Sequence, residues 1–314
     1  METTIDETKK PFFSTEKKGV DVKGKFFVGI TQVAVFLIIA ILFVILGIIV
    51  YQGHDRFSWE FISSFPTDGM TKGGIFPALI GTFILVVVMS IAAVPFGTIT
   101  AIYLTEYAKE NSKIAAAVRF SVRTLAVVPS IIFGLFGLGF FIQFLGSGMD
   151  KAFNGGELHW GQPNILWASL TMSLLTLPVI IVSVEEALKT IPRELREASL
   201  ALGATKWQTI KNVVLPGSVS GIMTGTILAV SRGAGEVAPV LFTGAAYYLA
   251  TLPKSVSDQF MNLGYHIYIM STQSSDVEKT MPIQFATTLV LLILTLSLNL
   301  VAVLIRSRIR RRAK

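Results

Sequence analysis

The sequence predicts an all-α, polytopic membrane protein with six transmembrane helices. Three observations carry this. Of the 314 residues, 52% are hydrophobic and only 15% are charged, against roughly 25% charged in a soluble domain. The apolar residues gather into runs of the length that spans a bilayer, about 20 residues at 1.5 Å each. Lysine and arginine are abundant in every second connecting segment and scarce in the others. The chain also has no cysteine, which excludes a disulfide framework, thiol chemistry and a thiolate metal site.

Residues 1–25 form a basic tail with Lys9, Lys10, Lys17, Lys18, Lys23 and Lys25. Within it Gly19–Lys25 reads GVDVKGK and meets most of a P-loop pattern. Phe26 stands where that motif needs a serine or threonine, and no strand pattern precedes it. Residues 26–74 hold the first span, Phe26–Val50, and a loop on the outer side. The span is too long for a signal peptide and lacks a small-residue cleavage site. Residues 75–305 form a core with five further spans, read as Ile75–Tyr103, Ala115–Leu145, Ile165–Val184, Val213–Val230 and Ile283–Ile305. A basic tail, 306–314, follows. The shorter apolar patch Ala238–Leu252, bounded by Arg232–Glu236 and Pro253, reads as outer-face or re-entrant structure. Pro95, Pro129 and Pro178 fall near mid-span, where neighbouring helices can satisfy the freed carbonyls. Gly221 and Gly225, and Gly134, Gly137 and Gly139, permit close helix contact.

The charges set the orientation. The amino tail, the Glu106–Arg123 segment, the Glu185–Lys211 loop and the carboxyl tail hold 21 of the 27 lysines and arginines, and the alternate loops hold 5. The positive-inside rule then places both termini and the long loop in the cytoplasm. The net charge of +7 is thereby assigned to the lipid surface, and no nucleic-acid module is present. His54, His159 and His266 lie in outer loops without metal-ligand spacing and read as surface histidines. With no nucleophile motif and no paired catalytic carboxylates, the chain reads as a transporter component rather than an enzyme, with no cofactor.

Two polar stretches interrupt the apolar pattern. Glu185–Pro216 is a long island in which Arg193–Leu202 reads as a helix, with Pro192 at its entry and Gly203 at its exit, where positive φ is often needed. Lys206–Val214 restarts the helical pattern. Leu195, Ala198 and Leu202 share one side by their 3–4 spacing. An amphipathic helix lying on lipid is the plainer reading, but Trp207 is the only aromatic anchor available to it. The second stretch is Ser231–Glu236. Arginine at a helix centre costs about 2.5–3.5 kcal/mol on insertion scales. Arg232 and Glu236 are four apart and share a helix face, yet Gly233 and Gly235 weaken the helix between them. A planar guanidinium suits phosphate or carboxylate oxygens, so the pair reads as a substrate station, with a structural ion pair as the alternative.

Glu197-Ala198-Ser199, then Gly203, then Leu215-Pro216, resembles the EAA loop of ABC-transporter permeases. Ser199 replaces the second alanine and Val213 the usual isoleucine. The resemblance implies a type I importer bundle in which this loop couples to a separate ATPase. The run RGAGEVAP followed by Leu241-Phe242-Thr243-Gly244-Ala245-Ala246 resembles the PstA-type permeases of phosphate ABC transporters, with Val237 in place of a threonine. Gly73–Leu79, Ala101–Ala108 and Val128–Gly137 extend that likeness. It implies phosphate as substrate, passing Arg232 and Glu236, and a bacterial inner-membrane complex. Its other members would be a PstC-type permease, two copies of a PstB-type ATPase and a PstS-type phosphate-binding protein. A permease for another oxyanion, the PstC-type partner itself and a secondary transporter are the alternatives; the last would need acid relays and internal repeats.

Overall fold

The computed structural model describes residues 22–109, 111–274 and 276–312. Most of the basic amino tail, with the start of the GVDVKGK run, lies outside the described residues, as do the last two residues. The chain divides into two units, residues 1–48 and 49–314. The first, where described, is the helix α1 (Val22–Gly53) as far as Ile48, apolar around its whole circumference.

In the second unit the elements are α2 (Trp59–Ser63), a two-residue ribbon of β1 (Pro66–Thr67) and β2 (Lys72–Gly73), and α3 (Phe76–Ile102). There follow α4 (Lys113–Leu125), α5 (Ser130–Phe136), a wide π-type helix Gly137–Gly146 that runs into α6 (Ser147–Phe153), and α7 (Ile165–Lys189). The chain ends with α8 (Arg193–Ala201), α9 (Lys206–Thr209), α10 (Leu215–Ala234), α11 (Ala238–Thr243), α12 (Leu263–Thr272) and α13 (Val277–Arg312). Among the described residues six helical stretches are long and apolar enough to cross a membrane: Gly24–Arg56, Phe76–Tyr107, Ser130–Phe153, Ile165–Lys189, Lys206–Ala234 and Val277–Arg308.

The third span departs from the sequence reading. The run Ala115–Leu145 is two helices, because Pro129 disfavours helical geometry at the residue before it and starts α5 instead of kinking a continuous span. The helix before the break, α4, carries Lys113, Arg119 and Arg123 and is not among the spanning candidates. Pro95 and Pro178 do lie inside α3 and α7. Helix α10 is continuous with α9 through wider turns at Ile210–Val214, which precede Pro216. Proline offers no N–H and crowds the carbonyl four residues back, so the widening falls where it relieves both.

Helices α3, α7 and α10 form the centre. A methyl group built on Gly225 would stand 2.1 Å from Ser183 Cβ, and one on Gly221 would stand 2.5 Å from Ala187 Cβ. The small-residue face of α10 therefore touches α7 almost backbone to backbone, as its spacing predicts. Gly137 approaches Thr171 and Thr243 in the same way, whereas a methyl group built on Gly139 would meet nothing within 4 Å in this chain. Around the centre, buried clusters join α3 to α7 through Leu85, Met89, Ala168 and Met172, and α12 to α13 through Ile269, Met270 and Ile283.

The patch Ala238–Leu252 is α11 followed by irregular chain, with an isolated bridge from Ala245 to Phe260. It packs against α5 and returns to the start of α7, where Asn164 N–H donates to Thr243 O at 3.0 Å. Helix α12 brings a further correction. His266 is 3% exposed, not a surface residue, and its Nδ1 has no hydrogen-bond partner. Burial pushes its pKa down to about 4.

Candidate functional site

The residues singled out in the sequence fall into two groups at different levels of the bundle. Glu197, Ala198 and Ser199 lie on α8, beyond the carboxyl ends of α3 and α7. Gly203 has φ +86°, the left-handed conformation its place after a helix calls for. A capping box then starts α9: Thr205 accepts from Gln208 N–H, and the Gln208 side chain accepts from Thr205 N–H at 2.7 Å. Ser199 and Thr209 share a 2.9 Å hydrogen bond between hydroxyls, so the serine standing for the usual alanine ties α8 to α9. Leu195, Ala198 and Leu202 are all exposed, Leu202 at 89%. Leu215 and Pro216 open α10, with Pro216 exposed.

The second group is Arg232 and Glu236. Arg232 occupies the last turn of α10 rather than a helix centre, and Glu236 lies just past the helix end. Arg232 Nε donates to Glu236 Oε1 at 3.4 Å. The Arg232 side chain is 64% exposed and that of Glu236 20%. A helix C-terminus favours a cation, since its free carbonyls carry partial negative charge. The depth of this break follows from Gly233, which touches Met89 and Thr176. Met89 is the central residue of α3, and Thr176 is one position from the centre of α7. Helix α10 thus stops halfway along its neighbours, and α11 continues beyond the gap. Beside the pair, Ser231 Oγ hydrogen-bonds Asn299 Oδ1 on α13.

Four further charged residues at the α8 level escape any local pattern. Arg196 Nη2 donates to Glu106 Oε1 at 2.8 Å and to Leu188 O at 2.9 Å. Arg119 Nη2 donates to Leu104 O at 2.7 Å and pairs with Glu185 at 3.3 Å. These partners are 90 and 66 residues apart in sequence, so no short-range spacing marks them. Among the described residues no three or more histidine, aspartate or glutamate side chains gather as a metal site would need.

Residues 93–313 match the family of binding-protein-dependent transport system inner membrane components. The chain belongs to this family. It is a permease component of an ABC transporter, with ATP hydrolysis carried by separate subunits, and a multi-pass membrane protein. It is similar to the probable ABC transporter permease protein YqgI of Bacillus subtilis, 29% identical over 263 residues, covering 80% of this chain and 84% of that one. The phosphate transport system permease protein PstA of Haemophilus influenzae is 30% identical over 246 residues, 78% of this chain and 80% of the relative. The PstA 1 protein of Mycobacterium tuberculosis is 40% identical over 169 residues, 54% of this chain and 50% of that protein. Among solved structures, a bacterial ABC transporter involved in import of the acidic polysaccharide alginate aligns with TM-score 0.64 at 16% identity, covering 91% of this chain and 96% of that one. An inward-facing MetNI methionine ABC transporter aligns with TM-score 0.54 at 20% identity, covering 75% and 94%. At these identities the structures establish the fold of type I importer permeases.

Proposed function

We propose that this permease passes inorganic phosphate across a bacterial inner membrane. The complex would contain a PstC-type permease, two PstB-type ATPases and a PstS-type phosphate-binding protein. PstA relatives support the substrate class, and the observation that carries it to particular residues is the exposed Arg232–Glu236 pair at the break between α10 and α11. A guanidinium replaces the hydration lost by an oxyanion with fixed N–H donors. The nearby carboxylate can accept from the proton-bearing oxygen of monohydrogen or dihydrogen phosphate, which fully ionised sulfate lacks. The α8 level faces the cytoplasm in this reading, as do both termini, and the Leu195–Ala198–Leu202 face docks the ATPase.

The test is phosphate uptake by the assembled complex in variants of the pair. Arg232→Gln abolishes uptake with assembly intact. Arg232→Lys restores part of it, because charge remains while the planar fork is lost. Poor assembly of the single variants, with recovery in Arg232→Glu combined with Glu236→Arg, would make the pair structural and sink the station. The cysteine-free chain gives a clean background for orientation. Lys206→Cys should be closed to an impermeant thiol reagent applied outside, and Lys151→Cys open to it; the reverse pattern overturns the topology.

A further inference from the structure

Helix α8 carries no buried residue, so apolar packing does not fix it to the bundle. A cavity of about 580 Å³, bordered by Thr105, Glu106, Lys109, Arg196 and Glu197, opens between it and the end of α3. Among the described residues, the side chain of Arg196 bridges this gap. Arg196 projects from α8 with its side chain 18% exposed, beside a Glu106 side chain that is 8% exposed. Glu106 sits in the wide turn Tyr103–Tyr107 that continues α3. The same guanidinium donates to Ile191 O at 2.5 Å and to Leu188 O at 2.9 Å, at the end of α7. A single planar fork therefore ties α8 to both central helices. Those helices press on the break in α10 half their length away, through Met89 and Thr176 against Gly233.

We propose that Arg196, held by Glu106, is the positioning residue that carries movement of α8 into α3 and α7 and so to the Arg232–Glu236 level. The idea rests on reading α8 as the ATPase contact. A charged pair suits such a link better than a greasy one. It is directional, it spans a solvent-lined gap, and removing one partner leaves the other charge buried and uncompensated. The second pair, Arg119 with Glu185 and Leu104 O, braces α3 and α7 against α4 at the same level. Arg119 borders the same cavity, but its hydrogen bonds go to Leu104 and Glu185 and not to α8, so it serves as the internal control.

The experiment measures ATP hydrolysis, phosphate uptake and retention of the ATPase in the reconstituted complex. Glu106→Gln and Arg196→Lys are conservative in size. Both are expected to retain the ATPase and hydrolyse ATP within twofold of the parent, while phosphate moved per ATP falls about tenfold in Glu106→Gln and less in Arg196→Lys. Arg119→Lys should leave that ratio within twofold. An unchanged ratio in Glu106→Gln overturns the proposal, and so does release of the ATPase from both variants, which would make the pair a docking element. Failure of both to assemble overturns it in favour of a folding role. Gly203→Val tests the underlying reading separately. Normal coupled transport in that variant would remove α8 as the ATPase contact, whatever the Glu106 result.

Discussion

The two ends of the bundle are held together by different chemistry. At the end marked by the amino termini of α3 and α7, side chains bind backbone. Asp150 accepts from the N–H groups of His159, Trp160 and Gly161 at 2.6–3.0 Å and from the Asn154 amide at 3.0 Å. Asn164 caps α7, Asn262 caps α12, and Thr82 on α3 accepts from Leu263 N–H at 2.9 Å. At the α8 end the long-range ties include two guanidinium–carboxylate pairs, whose guanidiniums also bind the carbonyls of Leu104, Leu188 and Ile191, and the apolar residues of α8 face outwards. A carboxylate that accepts from three N–H groups of one loop, as Asp150 does, fixes that loop in one geometry. Ion pairs across a gap hold elements together while leaving each free to move as a body. One end is built as a frame and the other as a joint, so substitutions should damage stability at the first and coupling at the second.

The largest separation should come from Asp150→Ala. Three part-buried N–H groups, of His159, Trp160 and Gly161, would lose their acceptor. The purified complex should lose stability, read as a large drop in thermal midpoint and yield. A midpoint within 2 °C of the parent would remove Asp150 from the frame.

Acid gives a smaller effect at the same end. His266 has its pKa depressed from 6.5 to about 4 by burial. The unfolded chain therefore takes up the proton first, so the stability is whole above pH 6.5 and is lost as pH falls towards 4. Each pH unit in that window is worth about 1.4 kcal/mol. Between pH 7.5 and 5, amide protection in α12 should fall about 30-fold after correction for intrinsic exchange, and His266→Gln should abolish the pH dependence. Equal protection at both pH values would contradict the burial.

The smallest effect on stability belongs to the joint. Leu202 is 89% exposed, so Leu202→Ser should change the stability of the chain by less than about 0.5 kcal/mol. It should nevertheless weaken retention of the ATPase several-fold in pull-down. Loss of stability with the ATPase still bound would reverse the contrast between the two ends.

Much of this was legible in the sequence where the governing forces are local. The six spans follow from apolar length, and Gly203 from the conformation its place after a helix requires. The break at Pro129 was open to sequence reasoning, since Lys113, Arg119 and Arg123 make the stretch before it too charged for a spanning helix. His266 was open to it as well, being flanked by Leu263, Ile267, Ile269 and Met270. The Arg196–Glu106 and Arg119–Glu185 pairs were not. Each joins residues whose meeting depends on how three helices pack, and helix periodicity carries no information about that. For Arg232 and Glu236 the spacing revealed the pairing. That α10 stops at this level, and does so at the depth of Met89 and Thr176, needed the fold.

The exposed guanidinium at that break also bears on the life of the chain before assembly. The Arg232 side chain is 64% exposed on the isolated chain, and if that face met hydrocarbon it would carry an insertion cost of about 2.5–3.5 kcal/mol, relieved only in part by Glu236. Covering that face removes the burden. A copy without its partners would then insert more slowly and turn over faster, which pulse labelling of the permease expressed alone would measure.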